Sequence, residues 1–216
     1  MYPPLFYRLL SPILRLFFKL LYHQFSWVYD LVAALVSGGK WNEWILSVLP
    51  YLRGPLVLEL GHGPGHLLAA IQTDGLKVIG LDESQWMGLL AFRRLNGDGL
   101  SCLVVNGYAQ FLPFHNELFN QIVSTFPSEF ISDPRTLSEA HRVLVTGGEL
   151  IVLPSAWITG TGLYDRLAAW LFRVTGQAGD WDDQFTEPIK KAGFEVKIEI
   201  LEHKSDRILI IIAQKP

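Results

Sequence analysis

The chain has 216 residues, with 18 Lys and Arg against 21 Asp and Glu, and half of its residues are hydrophobic. This length predicts one domain, or one domain with an appendage, and the apolar content excludes intrinsic disorder. The single cysteine, Cys102, excludes a disulfide scaffold and indicates a reducing, cytoplasmic compartment. The net charge of −3 argues against nucleic acid as a partner, because nucleic-acid-binding domains carry a basic surplus.

The N-terminal segment is apolar but carries a stripe of basic side chains. Arg8, Arg15 and Lys19 interrupt residues 5–21, so the segment lacks both the long apolar run of a membrane-spanning helix and the order of a secretory signal. At 100° per residue these three side chains fall on one narrow face. The pattern predicts peripheral membrane contact through residues 5–26, at the inner face of the membrane. The competing interpretation makes the N-terminal helices of residues 1–53 a lid over the rest of the protein.

Beyond Pro55, short apolar runs alternate with helical segments, as in parallel strands that are covered on both faces. The predicted strands are Leu56–Leu60, Lys77–Leu81, Leu103–Val105, Gln121–Ser124, Glu149–Leu153, Phe194–Leu201 and Arg207–Ala213. The predicted helices are Trp27–Val36, Trp41–Leu52, His66–Gln72, Gln85–Leu95, Pro134–Leu144 and Glu187–Ala192. A short connection between the last two strands requires antiparallel pairing. We therefore predict that residues 54–216 form a doubly wound, mostly parallel seven-stranded α/β sheet with an antiparallel last strand. An insertion at 155–183 is expected to lie over the carboxyl edge of this sheet.

Three glycines, Gly61, Gly63 and Gly65, stand at alternate positions after the first predicted strand. Glycine in such a turn lets the backbone bend sharply and lets a ligand approach without meeting a Cβ atom. Asp82 closes the second predicted strand, where a carboxylate accepts two hydrogen bonds from a ribose diol. The two features together predict a cofactor with a ribose at this edge of the sheet.

Two nearby residues bear on which cofactor this is. The dinucleotide fingerprint has its third glycine where this chain has His66. Glu59 lies two residues before the first glycine, where its carboxylate would repel a pyrophosphate but would favour an ammonium or a sulfonium. The pattern therefore favours S-adenosyl-L-methionine as the cofactor, and a nicotinamide enzyme stays as the less favoured alternative.

The same segment resembles motif I of the class I S-adenosylmethionine-dependent methyltransferases, in particular the methyltransferase type 11 group that modifies quinones and lipids. Further motifs follow in the family's order over residues 56–154: D-x-S-x-x-M at 82–87, G-D-A-x-x-L-P-F at 107–114, F-D-x-V-x-S at 119–124 and E-x-x-R-V-L-K-P-G-G at 139–148. The resemblance implies a Rossmann-like fold and methyl transfer. It implies cofactor contacts from Glu59, Gly61, His62, Gly63, Gly65, Asp82, Glu83, Met87, Tyr108, Ala109, Gln110 and Ser124.

Two residues depart from the family's pattern. Tyr108 stands where the family has the acid that bonds the adenine amine, so backbone groups around Ala109 and Gln110 would take more of the adenine recognition. Asn120 replaces the acid of the fourth-strand motif. These substitutions keep a second hypothesis open, in which the chain is a non-catalytic binding module associated with a membrane or a partner protein.

Methyl transfer from a sulfonium is an in-line displacement, in which the protein aligns the reactants and excludes water. A carbon or oxygen nucleophile also needs a base. Glu129 follows the fourth strand, in a stretch that borders the methyl group in the family, and is the first candidate for base or substrate ligand; its alternative is a carboxylate at a helix N-terminus. His62 is the second candidate, with filling of the glycine turn as its alternative.

The acceptor is expected to be a small apolar molecule. The predicted insertion supplies aromatic side chains that suit the walls of an apolar pocket, namely Trp157, Tyr164, Trp170 and Trp181. We expect no metal ion, because the aspartates at 180, 182 and 183 have no matching histidines. No pattern in the chain indicates an oligomeric state.

Overall fold

The computed structural model describes residues 37, 39–159, 183–202 and 205–216. The strands are β1 (Leu56–Leu60), β2 (Lys77–Asp82), β3 (Leu103–Asn106), β4 (Phe119–Thr125), β5 (Leu144–Ile158), β6 (Glu195–Glu202) and β7 (Asp206–Gln214). The helices are α1 (Trp41–Leu46), α2 (His66–Thr73), α3 (Gln85–Gly97), α4 (Pro134–Val143) and α5 (Asp183–Lys191), with 3-10 turns at Leu49–Tyr51 and Glu129–Ser132. The predictions for residues 5–26 and 27–36, and those for Tyr164, Trp170 and Trp181, fall outside the described residues.

All seven strands join in one sheet, in the order β3-β2-β1-β4-β5-β7-β6. The first five strands run parallel, and β7 is antiparallel to both of its neighbours. The predicted fold class is therefore confirmed. The strand order reverses between β1 and β4, and the crevice at the carboxyl ends of such strands is where doubly wound sheets bind ligands.

Alternate strand residues pack into two cores, one on each face of the sheet. The first core contains Val57, Val78 and Val123, together with Trp44 of α1 and Leu68 of α2. The second contains Leu58, Leu60, Ile122 and Leu150, together with Leu137 of α4 and Ile189 of α5. Because helices cover both faces, the strands are continuous apolar runs, as the sequence indicates. Among the residues that the structure describes, no helix is both long enough and apolar enough to cross a bilayer.

Helix α1 and strand β5 differ most from the predicted ends. Helix α1 stops at Leu46 and gives way to a 3-10 turn that contains Pro50, because proline lacks the N–H that a continuing helix would use. Strand β5 continues to Ile158, through a shift of register that brackets Pro154, and pairs with the start of β7. Residues 155–158 therefore belong to the sheet and not to the predicted insertion.

Gln121 connects the segment before β1 to the centre of the sheet at its amino-terminal edge. Its Oε1 accepts hydrogen bonds from Arg53 N (2.7 Å) and Gly54 N (2.9 Å), and its Nε2 donates to Glu149 Oε2 (2.8 Å). The neighbouring Asn120 packs against Gly54, where a Cβ atom would lie only 2.5 Å from Asn120 Cβ. Gln121 thus supplies polar contacts at this edge, next to the position where the family pattern has an acid.

Candidate functional site

The glycine turn between β1 and α2 has an unusual backbone. Gly61, Gly63 and Gly65 have φ angles of +70°, +52° and +83°, a region that residues with a Cβ atom rarely adopt. A Cβ atom on Gly65 would lie 2.8 Å from Ala91 Cβ, so glycine here lets α2 begin in direct contact with α3. A Cβ atom on Gly63 would meet nothing within 4 Å, so the turn has free space on that side.

Asp82, at the end of β2, holds the glycine turn in place. Its Oδ2 accepts a hydrogen bond from Gly63 N (2.9 Å), and its Oδ1 accepts one from Ser84 N (2.8 Å). Gly61 N also donates to Leu81 O, at 2.8 Å. Each carboxylate oxygen keeps a second lone pair, so Asp82 can still accept from a ribose hydroxyl. This bracing of the turn is a role that the sequence does not reveal.

Glu59 is buried at the same edge, with only 2% of its surface exposed. Its Oε2 has no hydrogen-bond partner among the described residues. Burial first, and the charge of Asp82 second, raise the pKa of Glu59 well above its usual value. An unpartnered acceptor next to a glycine turn fits the ammonium or sulfonium group of the predicted cofactor, and it does not fit a phosphate.

The ring of His62 is buried beneath the turn, with 4% exposure. Its Nδ1 lies 2.7 Å from Gly63 O, and its Cδ2 occupies space that the absence of a side chain on Gly80 provides, since a Cβ atom there would approach to 2.9 Å. Burial lowers the pKa of His62, against an opposing effect of Asp82. This placement favours the role of filling the turn over contact with an acceptor.

The predicted adenine-binding loop follows β3. Tyr108 is 61% exposed and Ala109 is buried, and Phe111 N donates to Tyr108 O at 3.0 Å to close a turn. Gln110 Nε2 lies 3.5 Å from Asp133 Oδ2. The Tyr108 ring is thus on the surface of the loop, and the contacts of Ala109 and Gln110 with an adenine stay predictions.

Two residues of α4 hold this loop against the second core. Glu139 Oε2 accepts a hydrogen bond from Leu112 N at 2.7 Å, and Arg142 donates to Leu112 O (3.0 Å) and to Phe114 O (2.8 Å). The two side chains also pair with each other, at 2.7 Å. Hydrogen bonding from Arg142 lowers the pKa of Glu139. The E-x-x-R part of the sequence motif is therefore a brace for the loop.

The remaining predicted cofactor residues are Ser124, Met87 and Glu83. Ser124 is fully buried, and its Oγ donates to Leu60 O at 2.7 Å, joining β4 to β1. Met87 is buried within α3, whose first turn is capped by Ser84. Glu83 is exposed beside Asp82. The described geometry thus gives Ser124 and Met87 structural contacts, and their contacts with a cofactor stay predictions.

The segment after β4 lies next to the glycine turn. The ring of Phe130 packs at Gly61, where a Cβ atom would lie 3.3 Å from Phe130 Cζ, and the neighbouring Glu129 is exposed in the first turn of a 3-10 helix. Phe126 has a φ of +46°, and its ring stacks on Trp41 at a centroid distance of 4.3 Å. The sequence does not predict this conformation of Phe126, because Phe126 precedes Pro127 and a residue before proline is expected to be extended.

Comparisons with known proteins agree with this geometry. Residues 57–148 match the family model described as a methyltransferase domain. Demethylmenaquinone methyltransferase of Symbiobacterium thermophilum is 31% identical over 138 residues, which cover 59% of this chain and 55% of that protein. The chloroplastic 2-methyl-6-phytyl-1,4-hydroquinone methyltransferase 1 of Oryza sativa subsp. japonica is 28% identical, over 82% of this chain and 53% of its own length. The chain spans about half the length of both relatives.

A solved structure shows the same fold. Phosphoethanolamine N-methyltransferase 2 of Haemonchus contortus, in complex with S-adenosylhomocysteine, has a TM-score of 0.62 and 18% identity, covering 82% of this chain and 53% of that one. The strand order, the braced glycine turn, the ordered motifs and the family match all lead to the same conclusion. The chain has the fold of a methyltransferase domain, and its residues 57–148 match that family model.

Proposed function

We propose that the protein transfers a methyl group from S-adenosyl-L-methionine to a small, apolar acceptor. The observation that carries the proposal is the glycine turn braced by Asp82, with the unpartnered carboxyl group of Glu59 buried at the same edge. When bound, this cofactor supplies a methyl carbon attached to a good leaving group. The work left to the chain is to bind, to orient and to exclude water.

Each of these tasks falls to residues of this chain. The lone pairs that Asp82 keeps free suit the ribose hydroxyls. The carboxyl group of Glu59 suits the positive charge of the cofactor, and the backbone at Ala109 and Gln110 suits the adenine. Glu129 is the proposed base or acceptor ligand, because it is exposed on the segment that packs against the glycine turn.

The proposed acceptor is a quinol ring that carries an apolar chain. The two relatives are named for demethylmenaquinone and for a phytyl hydroquinone, which are acceptors of this chemical class. Two phenylalanine rings follow β4: Phe130 packs at Gly61 of the glycine turn, and Phe126 stacks on Trp41. Such rings suit an aromatic, apolar partner. An acceptor of this kind partitions into membranes, which agrees with the proposed contact of residues 5–26 with the membrane surface.

Methyl transfer is tested with S-adenosyl-L-methionine carrying a labelled methyl group. We expect label to pass to a prenylated quinol in detergent micelles, with Asp82→Ala losing most of the activity and Glu129→Gln lowering kcat. Transfer to a polar, soluble phenol at an equal rate would contradict the apolar acceptor, and no transfer to either would contradict the activity.

The membrane contact is tested by flotation with anionic vesicles. The full chain and a variant without residues 1–26 are compared at low and at high salt. We expect the full chain to float and the shortened chain to stay with the soluble fraction, and equal flotation of the two would contradict the proposal.

A further inference from the structure

A second carboxylate lies close to Glu59. Asp82, at the end of the adjoining strand, acts electrostatically both on Glu59 and on the ring of His62 in the glycine turn. An ionised Glu59 would also raise the pKa of the Cys102 thiol, which lies before β3. Helix α2 contributes apolar side chains such as Leu68 to this face of the sheet.

Glu59 and His62 each lie beside the same glycine, Gly80. Glu59 is the register partner of Gly80 in the parallel pairing of β1 with β2, so their Cα atoms are about 4.8 Å apart and their side-chain directions share one face of the sheet. The ring edge of His62 occupies the space where Gly80 lacks a Cβ atom. In the described part of the chain, Glu59 Oε2 and His62 Nε2 are both buried and both without a partner.

The hydrogen-bonding capacity of the two groups is complementary in one protonation state only. A carbonyl oxygen accepts, so the short contact with Gly63 O places the hydrogen of a neutral His62 on Nδ1 and leaves Nε2 as an acceptor. An ionised Glu59 would also be an acceptor, facing the anion of Asp82. Protonated Glu59 supplies a donor beside an unpartnered acceptor, whereas an isolated buried carboxylate is very costly.

We propose that Glu59 is a neutral acid in the free protein, and that it releases its proton when the cationic cofactor binds. The second half rests on the proposed function. On binding, the O–H bond of Glu59 breaks, the proton passes to the buffer, and the carboxylate that remains balances the positive charge of the cofactor. The affinity for the cofactor therefore rises with pH, by at most about tenfold per pH unit, until free Glu59 is ionised.

The first half is tested on the free protein by infrared difference spectroscopy at pH 7. We expect the C=O stretch of a protonated carboxyl group in the wild type, and its loss in Glu59→Gln. Because glutamine copies the shape and the neutrality of the protonated acid, Glu59→Gln should fold with unchanged or higher thermal stability. Absence of the band, or an unfolded Glu59→Gln, would overturn the proposal.

The second half is tested by titration calorimetry with S-adenosyl-L-methionine in phosphate and in Tris, whose ionisation enthalpies differ. We expect about one proton released per cofactor bound by the wild type and by the control His115→Gln, which changes an exposed histidine, and none by Glu59→Gln. Binding by the wild type without proton release would overturn the coupling. Failure to bind at all would contradict the proposed function and leave the infrared result standing.

Discussion

Replacing Gly65 by alanine tests whether the glycine turn is set by close packing of α2 on α3. In Gly65→Ala, the new Cβ atom would lie 2.8 Å from Ala91 Cβ and 3.0 Å from Ala91 Cα. The φ of +83° costs alanine about 1–2 kcal/mol. The overlap adds about 1–3 kcal/mol, because one of the two atoms belongs to the backbone and cannot rotate away.

Gly75→Ala is the matched control, because Gly75 has a φ of +84° and a Cβ atom there would meet nothing within 4 Å. The free energy of unfolding, measured by urea denaturation, should fall by about 1–2 kcal/mol in Gly75→Ala and by about 2–5 kcal/mol in Gly65→Ala. Adding Ala91→Gly to Gly65→Ala should recover part of the difference in a double-mutant cycle. Equal losses in the two single variants would refute the packing argument.

Three further substitutions test the other contacts of the site. Gly80→Ala places a Cβ atom 2.9 Å from His62 Cδ2 and should lower the free energy of unfolding by about 1–3 kcal/mol. In Gly88→Ala, within α3, the new Cβ atom would meet its nearest atom at 3.8 Å, so the free energy of unfolding should rise by up to about 1 kcal/mol. A lower free energy of unfolding for Gly88→Ala than for Gly80→Ala would contradict the described packing. The pKa of Glu139 is lowered in the folded state, so its stabilisation is complete above the unfolded pKa and is lost as pH falls through the folded pKa. The stability gap between wild type and Glu139→Gln should therefore shrink below about pH 4.3, and a gap that is equal at pH 7 and pH 3 would contradict the brace.

The parallel core of the fold can be predicted from the chain because strands covered on both faces are continuous apolar runs. The bounds of β1 match the prediction, and β2 and β3 extend it by a single residue. The centre of β5 is predicted, but its end escapes prediction because the pattern breaks at Pro154, while the backbone pairs with β7 beyond it. The pairing of β5 with β7 depends on contacts between residues far apart in the chain, and a local sequence pattern does not reveal such contacts.

The candidate site, too, can be predicted from the sequence only in part. The glycine spacing and Asp82 are readable from the chain because a turn with positive φ angles requires particular residues. The hydrogen bond from Gly63 N to Asp82 is not readable, since it depends on how two strands meet. Phe126 adopts its positive φ against the preference of a residue before proline, and stacking on Trp41 and a hydrogen bond to Leu153 accompany that strained conformation.

The most direct test of the central claim is a calorimetric titration of the protein with S-adenosyl-L-methionine and with S-adenosylhomocysteine. We predict saturable binding of both ligands at one site. Affinity should be lower by about tenfold or more in Asp82→Ala, which removes the carboxylate proposed to hold the ribose. Absence of binding for both ligands, or undiminished binding by Asp82→Ala, would contradict the account.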